Sequence, residues 1–170
     1  MRIGECLALT DADFNREEHI ISVNKMLAVM DERLEDGTWA KRRFEIVDYL
    51  KGNGDEREVV ITDACLDIVD KVKQINKEKR ILSPTLFPGI SESNVECKLY
   101  RLCKELEITK RSPHKWRKTY ISTLLNNGVD PDFVREQVGH KDLQTTFNSY
   151  TYSTTKQEKQ IKRLADVLSV

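Results

Sequence analysis

Apolar positions along this chain change their period near residue 62. Between His19 and Ile61 they come in short runs bounded by turn formers, and from Thr62 onward they recur every three or four residues. The runs His19–Asn24, Arg43–Tyr49 and Glu56–Ile61 are rich in Ile, Val, Phe and Tyr and predict strands. Lys51-Gly52-Asn53-Gly54-Asp55 predicts a hairpin turn that joins the last two, so a small three-stranded antiparallel sheet is expected. Met26–Lys41, with Asp36-Gly37 and mixed charges, reads as a long turn or an extension of that sheet. Before the strands, Ile3, Cys6, Leu7 and Leu9 fall at helical spacing with no capping residue ahead of them, so this helix reads as incomplete at its front.

The helical part divides at its punctuation. One apolar face holds Leu66, Val69, Val72 and Ile75; after Ser83-Pro84 and Phe87-Pro88-Gly89 a second holds Val95, Leu99, Leu102 and Leu106. Ser112-Pro113 is a capping residue with proline in the first helical position. The helix it opens carries Trp116, Tyr120, Ile121, Leu124 and Leu125 on one face and stops at Asn126-Asn127-Gly128. Asp130-Pro131 repeats the start signal for a helix ending at Gly139, and another helix begins near Asp142. A last amphipathic helix is expected over Thr154–Leu168, with Ile161, Leu164, Ala165 and Leu168 along its apolar edge. With no repeat, low-complexity stretch or linker, the 170 residues read as one α+β domain, mostly helical.

Composition narrows the function. Apolar residues at 39% and charged residues at 33% exclude gross disorder, and 28 basic residues balance 28 acidic ones, so overall charge alone does not point to a polyanion partner. No stretch approaches the roughly 18 apolar residues of a membrane span, and Met-Arg-Ile-Gly-Glu does not begin like a signal peptide, so a cytoplasmic protein without membrane association is expected. Cys6, Cys65, Cys97 and Cys103 lack paired spacing and are read as reduced and mostly buried; with three histidines in the chain, no metal or cofactor is expected.

The residues with chemical promise cluster late in the chain. His114 and Arg117 lie one turn apart near the positive end of a capped helix, which outlines an anion site. Gly139-His140 ends the next helix, and Tyr150 follows in Thr145-Thr146-Phe147-Asn148-Ser149-Tyr150. Taken in order, Ser112-Pro113-His114-Lys115-Trp116-Arg117, Asn127-Gly128-Val129, Val138-Gly139-His140, Thr145-Thr146 and Tyr150 closely resemble the catalytic half of the tyrosine recombinases, the phage-integrase family. Met1-Arg2-Ile3-Gly4-Glu5 and Leu7-Ala8-Leu9-Thr10 resemble the segment carrying that family's first catalytic arginine, and Lys51, six residues before Arg57, falls where the family places its lysine.

The resemblance implies a tyrosine-recombinase-like catalytic domain with Arg2, Lys51, His114, Arg117, His140 and Tyr150 as its active set. Tyr150 would attack the scissile phosphorus to give a 3′-phosphotyrosine, and Arg2 and Arg117 would each grip phosphate oxygens with two parallel hydrogen bonds. Lys51 would protonate the departing 5′ oxygen, His140 would bind a phosphate oxygen, and His114 would assist proton transfer. Lys25 and Lys41 compete for the lysine role because the common Pro-x-Lys-Thr context is missing, and Tyr152 is the rival nucleophile. Lys118 stands where many members have histidine, and Trp116 where leucine is common. Glu5 is read as orienting its neighbours, and His19 as a surface residue.

The resemblance further implies that residues 1–170 are a catalytic-domain fragment, lacking the N-terminal core-binding domain and the start of the catalytic domain. The partner would be double-stranded DNA, on which the full-length parent would form a tetramer. Two other readings stand beside site-specific recombination. One is DNA relaxation like that of a type IB topoisomerase, and the other a non-catalytic helical DNA-binding module.

Overall fold

The computed structural model describes residues 1–51 and 56–149. Tyr150 and the helix expected over Thr154–Leu168 lie outside the described residues, as do residues 52–55 of the expected hairpin turn. In chain order come α1 (Ile3–Leu7), a 3₁₀ turn (Asp11–Asp13), β1 (Phe14–Asn15), β2 (Ile20–Val23), β3 (Met26–Met30), β4 (Arg43–Val47) and β5 (Arg57–Val60). Then follow α2 (Asp63–Glu78), α3 (Glu92–Glu105), α4 (Pro113–Asn126), α5 (Pro131–Val138) and α6 (Leu143–Ser149).

The three expected strands are all present, but they pair otherwise than expected. β5 pairs antiparallel with β2, with Ile21 opposite Val59 and Val23 opposite Arg57, and β1 completes a three-stranded sheet on the other edge of β2. β4 pairs with β3 instead of β5, so Met26–Lys41 is neither a plain turn nor an addition to that sheet. It forms one strand and the loop of a separate two-stranded hairpin, whose loop is closed by a bridge between Arg33 and Trp39. A local turn signal cannot choose between partners that are equally extended and equally apolar. Here burial chooses, because Ile21, Val23 and Val59 belong to one core, while Phe44 and Ile46 of β4 remain exposed. The β3–β4 hairpin leans on α1 at Gly4, where a side chain would meet the Leu27 carbonyl oxygen at 2.9 Å.

Two apolar clusters organise the molecule. Leu9, Ile21, Val23, Leu50, Val59, Val69 and Leu86 fill the space between the three-stranded sheet and α2, and the chain after α2 is tied back by the Leu86 N–H, which donates to the Leu9 carbonyl. Ile121, Val134 and Val138 join α4 to α5, flanked by Leu124, Leu125 and Val129. The remaining predicted helix faces are only partly covered. Trp116, Tyr120, Ile75, Leu102 and Leu106 are exposed, although periodicity placed them on apolar faces. All four cysteines are free thiols, but only Cys103 is buried, Cys6 and Cys65 are half-buried, and Cys97 is exposed, against the expectation of general burial.

The predicted caps form at α4 and α5. Ser112 Oγ accepts the Lys115 N–H at 3.4 Å, and Asp130 Oδ1 accepts the N–H groups of Asp132 and Phe133 at 2.9 and 3.0 Å. Gly139, left-handed at φ 67, ends α5, with its N–H donated to Glu136 and that of His140 to Arg135. Because Ile121 is only 1% exposed within the small α4–α5 cluster, Ile121→Ala is expected to lower unfolding free energy by about 2–5 kcal/mol in urea titration. Leu82→Ala, at a fully exposed position, should shift it by less than about 0.5 kcal/mol.

Candidate active site

The first helix brings two oppositely charged residues to the head of the site. The Arg2 N–H donates to Glu5 Oε2 at 2.7 Å, so the Glu5 side chain folds back to close the start of α1. Arg2 Nη1 donates to Glu5 Oε1 at 3.1 Å. Glu5 is 1% exposed and receives a second guanidinium from β5, where Arg57 Nη2 lies 2.6 Å from Oε2 and Nη1 3.4 Å from Oε1. Burial alone would raise the Glu5 carboxyl; hydrogen bonds from Arg57 and Arg2 outweigh it and hold the group below the ordinary carboxylate value.

A third arginine arrives from α4. Arg117 Nη2 donates to the Val138 carbonyl at the end of α5, while Nη1 is buried without a hydrogen-bond partner. Burial, aided by the nearby charge of Arg2 and opposed by Glu5, lowers the Arg117 pKa to about 10. Arg117 remains charged at neutral pH, and its anchored half fixes where the unpartnered half lies.

His140 follows directly from the left-handed turn at Gly139. Its Nδ1 is hydrogen-bonded to Thr146 Oγ1 at 3.0 Å, and Thr146 is fully buried on α6. Asp142 Oδ1 accepts the Thr145 N–H at 2.7 Å, which anchors the start of α6 and so sets Thr146 against the imidazole. Burial and then the charges of Arg117 and Arg2 depress the His140 pKa to about 4, with Asp142 pulling the other way. The ring is therefore neutral at pH 7, in part because it stands among cations.

Of the six residues predicted from sequence, Arg2, Arg117 and His140 come together, and exposed His114 on the first turn of α4 lies near enough to add to the charge felt by His140. Lys51 is exposed beside residues 52–55, and no contact joins it to the cluster among the described residues. Its rival Lys25 is engaged elsewhere, with Nζ 2.6 Å from Oδ1 of buried Asp13, while Lys41 is exposed. Glu5 does orient its neighbours, as expected. Arg57 and Thr146 were not foreseen in these positions. The signal for Arg57 lay in the strand alternation, since residues 57 and 59 share a face and Val59 is a core residue. Among the described residues, no group of three or more His, Cys, Asp or Glu is placed to hold a metal ion, and no helix is long and apolar enough to cross a membrane.

The model of the phage integrase family matches residues 1–157. The chain belongs to the phage integrase family. Among curated relatives, it is 26% identical to the integrase of Staphylococcus phage L54a over 99% of this chain and 49% of that protein. It is 25% identical to the ICEBs1 integrase of Bacillus subtilis, over 99% of this chain and 46% of that protein. It thus spans about half the length of the curated relatives it matches. The fold is that of the Tn1549 transposon integrase, solved in complex with transposon right end DNA, with a TM-score of 0.72, 20% identity and coverage of 100% of this chain and 55% of that one. XerA recombinase aligns with a TM-score of 0.68 and 19% identity, over 98% of this chain and 53% of that one.

The site makes a titration order measurable. His19 Nε2 lies 2.7 Å from Asp63 Oδ1, and that hydrogen bond raises the His19 pKa above 6.5, opposite to the shift at His140. In an NMR titration, His140 should stay neutral until near pH 4, after His19 has become charged. Between pH 6.5 and 4 the unfolded chain binds the His140 proton and the folded chain does not, so this residue lowers stability as pH falls through that window. His140→Gln should make the acid-side loss of melting temperature shallower.

Proposed function

We propose that residues 1–170 form the catalytic portion of a site-specific tyrosine recombinase that cuts and rejoins duplex DNA through a 3′-phosphotyrosine. The observation carrying this reading is the convergence of Arg2, Arg117 and His140 from opposite ends of the described chain, with the buried carboxylate of Glu5 beside the two arginines. Such a cluster suits an oxyanion. Arg2 retains a half-exposed side chain, Arg117 keeps a buried donor without a partner, and neutral His140, held through Nδ1, can offer Nε2 to a phosphate oxygen.

Cleavage without a metal needs cations for the charge on the phosphoryl oxygens, a nucleophile and an acid for the leaving oxygen. In this reading Arg2, Arg117 and His140 meet the oxygens, and His114 assists proton transfer. Tyr150 attacks phosphorus as its proton passes to His114, the P–O5′ bond breaks, and Lys51 protonates the 5′ oxygen. Religation reverses each step, because the phosphotyrosine conserves the energy of the original bond. The enzyme would act in the cytoplasm on double-stranded DNA, as a tetramer when full-length and joined to an N-terminal core-binding domain.

The test is covalent capture. A pool of nicked duplexes of randomised sequence, designed to lose a short 5′-hydroxyl strand after cleavage, is incubated with the full-length recombinase, and protein–DNA adducts are separated in detergent. Adducts are expected from the unmodified protein and from Tyr152→Phe, and none from Tyr150→Phe, which should still bind DNA. Adducts from Tyr150→Phe but not Tyr152→Phe would reassign the nucleophile. Capture should persist in EDTA; loss in EDTA with recovery in magnesium would overturn the mechanism. Relaxation of supercoils without exchange of strands between duplexes would favour the topoisomerase reading.

A further inference from the structure

Arg57 reaches the site from behind. Its side chain is 10% exposed, both terminal nitrogens meet the oxygens of Glu5, and its guanidinium fills the space where a side chain at residue 139 would sit. A carbon added to Gly139 would fall 2.8 Å from Arg57 Cζ. One planar group therefore contacts the carboxylate that holds Arg2 and the turn that carries His140, residues far apart in sequence.

Charge gives this contact a chemical meaning. Glu5 is a single negative group facing Arg2 and Arg57, with Arg117 close enough to sense all three. With Arg57 in place, the four groups carry a net charge of plus two, and Arg2 keeps a positive excess to offer outward. Without Arg57 the same carboxylate is balanced by Arg2 alone, and its pull on an outside anion falls. A lysine would restore the charge but not the flat two-pronged fit against Glu5 and Gly139.

We propose that Arg57 is a positioning residue for DNA cleavage, neutralising Glu5 so that the charge of Arg2 is available to the scissile phosphate and fixing the turn that presents His140. This rests on the recombinase reading above. The experiment measures single-turnover cleavage by full-length recombinase on the captured nicked duplexes, carrying either the ordinary phosphate or an uncharged methylphosphonate at the scissile position.

Arg57→Met is expected to slow cleavage of the phosphate by about 100-fold, the scale of a displaced catalytic group, with DNA affinity changed less than about threefold. On the methylphosphonate the loss should shrink to about tenfold or less, because the charge that Arg2 must meet is gone. Arg57→Lys should recover part of the rate and respond to the two substrates as the unmodified protein does. Equal losses on both substrates, or no loss, would overturn the proposal. So would a collapse of melting temperature in both variants that leaves no folded protein, which would assign Arg57 to stability alone. Absence of Tyr150-dependent capture by the unmodified protein would instead overturn the recombinase reading, and this role with it.

Discussion

A carboxylate taken out of water must be met by cations, and Glu5 is placed where Arg2 and Arg57 both reach it. Much of the architecture serves that meeting. The β2–β5 register puts Arg57 opposite Val23 with its side chain turned inward, and α1 starts in the conformation that folds Glu5 back over the Arg2 N–H. The second apolar cluster then holds α4 to α5 so that Arg117 can anchor on Val138. Removing Glu5 would leave the charge of Arg57, only 10% exposed, buried and uncompensated, which is more damaging than never having had the pair.

His140 shows how the same surroundings act differently on different groups. Arg117 loses basicity through burial and neighbouring charge yet stays cationic, because its ordinary value is so high. His140 starts near neutrality, and a shift of the same sign removes its charge over the whole physiological range. The site thereby combines fixed positive charge with one neutral, hydrogen-bonded imidazole. That combination could not be obtained by adding a further arginine.

Features governed by neighbours in sequence were legible from the sequence. Ser112-Pro113, Asp130-Pro131 and Gly139 mark helix boundaries through local capping, and in the structure α4 and α5 begin at the first two and α5 ends at the third. The order of motifs likewise singled out Arg2, Arg117 and His140. Pairing of strands was not legible, because the turn signal at residues 51–55 says where the chain bends but not which strand lies alongside. The inserted β3–β4 hairpin takes β4 away, and β2 finds β5 across more than thirty intervening residues. Arg57 was missed for the same reason: its partners lie 52 residues away at Glu5 and farther still at Gly139.

Gly139 has a consequence for how the protein matures. Its left-handed turn ends α5, its bare α-carbon admits Arg57, and its neighbour is His140, so helix termination and site assembly occur at one atom cluster. That cluster closes only when the first turn of the chain, a central strand and the α4–α6 region have all met, which makes it a contact of high sequence separation. Until those segments meet, nothing holds Arg2 and Arg57 together on Glu5. A chain built this way gathers Arg2, Arg117 and His140 in the same step that completes its fold.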